Sequence, residues 1–331
     1  MNNIAINGFG RIGRCILKYL YVNDLLGSKV DVTAINLPDP EQYAYLFKHD
    51  STYGPMDAKV KTDSKYFYLD DYKILLVNGR EPENIPWGDL GVDIAIESTG
   101  VFKDRKGASR YLAGGAKKVL ITAPAKDPDS TIVPGVNDKD YKKSHKIVSL
   151  ASCTTNSVAP PLMILDEEFG ITGGFLTTIH AYTSDQVLLD RAHTKDYRRA
   201  RSAAINIIPT STGAAKAVGL VLPKLTGKLD GMALRVPVPT GSLSDLTLNV
   251  KKKTTTEEVN KVLKTASKTR LKNIMSYSED PIVSTDIIGD QNSSIIDSLC
   301  TRANGNIIKV CAWYDNEWGY SCRAGDFAIK M

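Results

Sequence analysis

The chain has 331 residues, 42% hydrophobic and 24% charged, with 42 Lys+Arg against 37 Asp+Glu and a formal net charge of +5. That length suits about two domains of the usual 100–200 residues, and the mixed charge excludes disordered and collagen-like classes. No apolar run reaches the roughly 18 residues of a membrane helix, and the charge bias is too diffuse to argue for specific nucleic-acid binding.

In chain order, the first half alternates short β-rich runs with helical stretches. Strands are expected at 4–7, 30–36, 72–77, 92–98, 118–122 and 146–150, with a helix at 12–21. This βαβ rhythm predicts an α/β unit with a doubly wound, mainly parallel sheet. After about residue 152 the rhythm changes. A helix runs into 160–169, strands follow at 175–181, 231–236 and 244–251, a helix lies near 256–268, and a strand at 307–314. That pattern reads as a second, α+β domain.

Cys15, Cys153, Cys300, Cys311 and Cys322 are odd in number and form no C-x-x-C pair, and no leader pattern precedes the first strand. A reducing, cytoplasmic setting is expected. His49, His145, His180 and His193 show no metal-ligand spacing, so no metal site is expected.

Gly8, Gly10 and Gly13 spell G-x-G-x-x-G between the first strand and the first helix, the context of a Rossmann-type dinucleotide fingerprint. The first glycine permits a tight turn, the second lets a pyrophosphate approach the backbone, and the third lets helix and strand pack. Turn glycines without a ligand are the bland alternative. Ligands of such sheets bind beyond the carboxyl ends of the strands, so the loops at 8–13, 36–37, 98–100, 122–124 and 152–153 wall one crevice. The last brings Cys153 to its mouth, ahead of a helix expected from Thr154, whose amide dipoles would lower the thiol pKa. On these residues alone, Cys153 is either a reactive thiol or a buried structural one.

Longer motifs decide more. INGFGRIGR opens the chain, and HDSTYG at 49–54, ESTG at 97–100, ITAPA at 121–125, SCTTN at 152–156 and TTIHAYT at 177–183 follow. Next come PTSTGAAK at 209–216, GKLDGMALRVP at 227–237 and WYDNEWGYS at 313–321. Over nearly its whole length the sequence resembles the phosphorylating glyceraldehyde-3-phosphate dehydrogenases. The resemblance implies a Rossmann-type domain over 1–152 and 316–331 and a catalytic domain over 153–315. It implies reversible oxidation of glyceraldehyde 3-phosphate to 1,3-bisphosphoglycerate through a cysteine thiohemiacetal and thioester.

Cys153 then matches the nucleophile and His180 its base, drawn as a thiolate–imidazolium pair with a near-neutral histidine. Thr183 and Arg235 match the site for the substrate C3 phosphate. Ser152, Thr154, Thr212 and Gly213 match the site for inorganic phosphate, and Arg199 an arginine serving both. Toward the cofactor, Gly8, Gly10, Arg11, Ile12 and Gly13 match the loop under the pyrophosphate, Arg80, Thr99 and Thr122 later wall positions, and Asn316 the asparagine that meets the nicotinamide carboxamide. A homotetramer is implied, with the arginine-rich loop around 185–205 near a neighbouring cofactor. Asp245 and the lysines at 251–253 read as structural and solvated.

Two departures bear on the cofactor. Where NAD-specific members carry Asp after the second strand, this chain has Leu37; where they carry Leu-Pro, it has Arg191-Ala192. The absent carboxylate and the added guanidinium predict NADP as preferred cofactor with NAD tolerated, unless Asp39 takes over the ribose contact. Erythrose-4-phosphate dehydrogenase is the nearest rival; Tyr182-Thr183 and Ser211-Thr212-Gly213 favour the three-carbon substrate. A non-catalytic nucleotide- or RNA-binding role is the rival from another class.

Overall fold

A computed structural model describes residues 1–331 apart from Lys195. The chain forms two compact units, residues 1–132 with 139–151 and 321–331, and residues 133–138 with 152–320. Compared with the expected division, residues 133–138, 152 and 316–320 belong to the second unit.

The first unit contains β1 (Asn2–Asn7), α1 (Arg11–Val22), β2 (Val30–Asn36), α2 (Pro40–Lys48), the small hairpin β3 (His49–Asp50) and β4 (Gly54–Pro55), then β5 (Val60–Thr62), β6 (Tyr66–Leu69) and β7 (Tyr72–Val77). It continues with β8 (Ile94–Glu97), α3 (Arg105–Ala113), β9 (Lys118–Ile121), β10 (Ser130–Thr131) and β11 (Ile147–Ser149). The sheet order is β10-β11-β9-β8-β1-β2-β7-β6-β5. From β10 to β7 all pairs are parallel, and β6 and β5 add an antiparallel edge. The chain leaves β1 in one direction toward β2 and returns to its other side with β8, so the switch point lies between β1 and β8, where ligands of such sheets bind. Alternation sets the packing. Ala5, Ala34, Ala95, Val119 and Ile121 share a core with Ala108 and Tyr111 of α3.

Two helices of this unit lie outside the sequence expectations, yet each has a legible start. Asp39 caps α2 by accepting from the Gln42 N–H at 3.0 Å, with Pro40 at the first helical position. Asp104 caps α3 through the Gly107 N–H at 2.7 Å.

The second unit carries α4 (Cys153–Phe169), β12 (Ile171–Ala181), β13 (Ile208–Ser211), α5 (Ala214–Val221), β14 (Leu229–Val236), β15 (Ser242–Thr254), α6 (Thr256–Lys268), β16 (Met275–Ser278), β17 (Ser294–Tyr314) and the start of α7 (Trp318–Lys330). Its mixed sheet runs β13-β14-β12-β15-β17-β16. One face is covered: Leu162 and Leu165 of α4, Val218 of α5 and Leu263 of α6 pack on Leu246, Leu248, Ile308 and Val310. Residues one step along point the other way, so Phe175 is exposed beside buried Leu176. β17 is far longer than the expected 307–314, because its first half mixes apolar and polar residues without alternation.

Candidate active site

The fingerprint glycines are each required by a different contact. Gly8 has φ +94°, and a Cβ there would lie 2.7 Å from Thr99 Cγ2. A Cβ on Gly13 would meet the Gly8 carbonyl oxygen at 2.3 Å, so α1 can approach β1 only with glycine there. At Gly10 a Cβ would have nothing within 4 Å. Gly10 is also the N-cap of α1 and offers its first turn no side-chain acceptor. Open space over helix N–H groups fits a pyrophosphate. Ile12 follows in that turn, and the Arg11 guanidinium turns away to grip Asp50 at 2.9 Å to both oxygens. Although burial pulls Asp50 upward, Arg11, the Thr52 N–H and Lys18 hold it at about 2.

Around this loop, Ser98 Oγ donates to Gly8 O at 2.6 Å, and Thr122 Oγ1 donates to Glu97 O at 2.9 Å. Thr99 and Arg80 are exposed. Leu37 is buried, so the missing carboxylate is replaced by core. Asp39, the alternative ribose partner, has one oxygen committed to capping α2.

In the second unit Cys153 is the first residue of α4, not the residue before it. Ala151, at φ +54°, swings the chain into this turn, and Ser152 caps it by accepting from the Thr155 N–H at 3.1 Å. Cys153 Sγ lies 3.5 Å from His180 Nε2. On the far side of the ring, Nδ1 is 2.7 Å from the Ala181 carbonyl. Nδ1 also lies 3.1 Å from Arg235 Nη1, which only donates; the shorter contact, to a carbonyl that only accepts, assigns the proton to Nδ1 and leaves the Nε2 lone pair facing sulfur. His180 and Arg235 are register partners on parallel strands β12 and β14. Arg235 Nη1 donates to Ala181 O at 3.0 Å and to Thr183 Oγ1 at 3.2 Å, while its Nε is buried with no partner among the described residues. A buried guanidinium with an unused donor suits an anion.

The electrostatics correct one expectation. The amides of the helix terminus pull the thiol down, but not below its usual value. Burial pushes Cys153 above its usual value, outweighing the downward pull of Arg235, the Thr154 hydroxyl and the first-turn amides. Burial and the Arg235 charge hold His180 at about 3, far from neutrality. The pair therefore rests as thiol and neutral imidazole, with Arg235 favouring thiolate and opposing imidazolium.

Arg199 lies near enough for its charge to act on His180 and Arg235. It donates to Thr210 Oγ1 at 2.9 Å and Ser211 O at 3.2 Å and pairs with Asp185. Thr212 and Gly213 lead into α5, with Gly213 as N-cap in open space and Thr212 Oγ1 accepting from the Ala214 N–H at 3.2 Å. The Thr154 hydroxyl is buried on Tyr314 OH at 2.9 Å, and Thr178 Oγ1 is 2.8 Å from the same phenol. The Asn316 oxygen accepts from Ser242 Oγ at 2.8 Å, which fixes the amide's orientation. Arg191 is exposed, its N–H bonded to Ala200 O at 3.0 Å.

Residues 2–105 match the family model described as the glyceraldehyde 3-phosphate dehydrogenase NAD-binding domain, and 152–316 that of its C-terminal domain. The chain is 53% identical over 328 residues to glyceraldehyde-3-phosphate dehydrogenase of Thermotoga maritima, covering 98% of both chains. It is 50% identical over 331 residues to that of Geobacillus stearothermophilus, covering 99% of this chain and 97% of the relative. The chain belongs to the glyceraldehyde-3-phosphate dehydrogenase family. Membership makes it an oxidoreductase acting on glyceraldehyde 3-phosphate with a nicotinamide dinucleotide.

Within a glyceraldehyde-3-phosphate dehydrogenase site, sequence reasoning passed over Tyr314, Ser242 and Asp185. Tyr314 sits inside the quoted WYDNEWGYS motif, the one signal that pointed to it. Asp245, read as structural and solvated, is half-buried and pairs with Lys309 at 2.5 Å across neighbouring strands.

Proposed function

We propose that Cys153 is the nucleophile and His180 the base of a phosphorylating aldehyde oxidation. The observation that carries this is the 3.5 Å Sγ–Nε2 contact with Nδ1 pinned to Ala181 O. Sγ attacks the aldehyde carbon as its proton passes to Nε2, and that proton then protonates the alkoxide, giving a neutral thiohemiacetal. Nε2 removes the hydroxyl proton as a hydride leaves the carbon, so a thioester remains. When bound, the nicotinamide dinucleotide supplies the hydride acceptor. Inorganic phosphate then attacks the thioester, and the released sulfur regains its proton from His180. Arg235 and Thr183 hold the C3 phosphate, Arg199 supports both anion positions, and Ser152, Thr154, Thr212 and Gly213 receive inorganic phosphate.

Gly8, Gly10, Arg11, Ile12 and Gly13 cradle the dinucleotide, with Leu37, Arg80, Thr99, Thr122 and Asn316 as walls. NADP is preferred over NAD, because the residue after β2 is Leu37 and not a carboxylate, and the exposed Arg191 offers a guanidinium. Exposed Leu188, Leu189, Tyr197, Ile205 and Ile207 favour a homotetramer that buries them. No helix among the described residues is long and apolar enough to cross a membrane, and the protein works in the cytoplasm. The test is dinucleotide reduction by the purified protein. Beyond a single turnover it should require aldehyde and phosphate together, and reduction with erythrose 4-phosphate at equal efficiency would contradict the substrate. Higher kcat/KM with NAD than with NADP would contradict the cofactor preference.

A further inference from the structure

We infer that Glu97 is a positioning residue for the dinucleotide site, holding the two loops at the switch point through one oriented polar row. Asn36, Asn7 and Glu97 end the adjacent strands β2, β1 and β8 and are register partners, Asn7 facing both others. Their side chains bond in sequence. Asn36 Oδ1 accepts from the Gly79 N–H at 2.9 Å, while its Nδ2 donates to Gly79 O at 2.7 Å and to Asn7 Oδ1 at 2.6 Å. Asn7 Nδ2 donates to Glu97 Oε2 at 3.2 Å and to Tyr111 OH, whose own proton goes to the same carboxylate oxygen.

The other oxygen, Oε1, accepts from the Thr99 N–H at 2.8 Å, the Gly100 N–H at 2.8 Å and Thr99 Oγ1 at 2.5 Å. Backbone polarity at Gly79 therefore fixes the Asn36 amide, which fixes the Asn7 amide, which leaves Glu97 only donors. Five donors converge on two oxygens of a 1% exposed carboxylate. An amide in its place must aim an NH₂ at one set of donors, and no flip relieves it without breaking the row back to Gly79. The row sets the Thr99–Gly100 turn, and Thr99 in turn contacts Gly8 so closely that a Cβ there would clash.

This inference rests on the dinucleotide reading of the first unit. The experiment titrates NAD and NADP onto purified Glu97→Gln by quenching of intrinsic fluorescence, beside steady-state kinetics and iodoacetamide labelling of Cys153. Both dissociation constants should rise at least tenfold and the dinucleotide KM with them. The kcat at saturating dinucleotide and the labelling rate without it should stay within threefold of wild type. If Glu97→Gln cannot be recovered folded, Tyr111→Phe, which removes one donor, should raise the dissociation constants at least threefold. Binding within twofold of wild type in the recovered variant overturns the inference, as does a fall in kcat matched by a fall in labelling. Wild type that binds neither dinucleotide overturns the dinucleotide reading itself.

Discussion

The dinucleotide loop of the first unit and the Cys153–His180 centre of the second use opposite means. At the loop, function resides in missing side chains: Gly13 because its Cβ would meet Gly8 O at 2.3 Å, Gly10 because nothing protein-borne fills its space. At the thiol, function resides in what neighbouring side chains do to one sulfur, through a lone pair from His180 and a charge from Arg235. The first is a matter of spacing along the chain, the second of an environment assembled from β12, β14 and α4. A change at one should leave the other's readout intact.

The largest effect expected is at sulfur. Cys153→Ser should lower phosphorylating oxidation by at least about 10⁴-fold, since a neutral hydroxyl is a far poorer nucleophile than a thiolate. Dinucleotide affinity, measured by titration, should stay within about twofold. Arg235→Leu comes next. It should raise the KM for glyceraldehyde 3-phosphate about 100-fold, as expected for a lost charge-assisted pair. Because the guanidinium pulls the Cys153 pKa down, its loss should move the pH profile of alkylation upward and slow labelling at neutral pH. Thr212→Ala should instead raise the KM for inorganic phosphate, by about tenfold.

The glycines sharpen the contrast from the other side. Gly10→Ala should leave apo thermal stability unchanged, because its methyl meets no protein atom, yet weaken dinucleotide binding about tenfold by occupying the phosphate position. Gly13→Ala should lower stability itself, by a few kcal/mol, through overpacking against Gly8.

The fold and the loop were largely legible because glycine spacing, strand alternation and helix caps are local. Expected strands at 30–36 and 72–77 coincide with β2 and β7. The helices at Asp39 and Asp104 carried cap signals that periodicity alone did not weigh. Less legible was everything set by packing. Burial reversed the expected pKa shift of Cys153, Tyr314 joined Thr154 to Thr178 from the far end of the chain, and Glu97 gathered donors from four residues. Burial and convergence are properties of the folded chain, and no residue spacing states them.

The smallest effect concerns stability against pH. Asp50 sits at about 2 in the fold against about 3.9 unfolded, so the unfolded chain binds the proton first. The contribution, about 2.6 kcal/mol, is fully present above about pH 5 and is lost as pH falls through 2. Asp50→Asn should remove this component from the acid limb of a stability curve and leave catalysis at neutral pH within about threefold.

Mass spectrometry of the acylated protein tests the central claim most directly. Mixing with glyceraldehyde 3-phosphate and a dinucleotide in the absence of phosphate should place one acyl group on the peptide bearing Cys153, and inorganic phosphate should remove it. Acylation of Cys15, Cys300, Cys311 or Cys322, or dinucleotide reduction with Cys153 unmodified throughout, would contradict it.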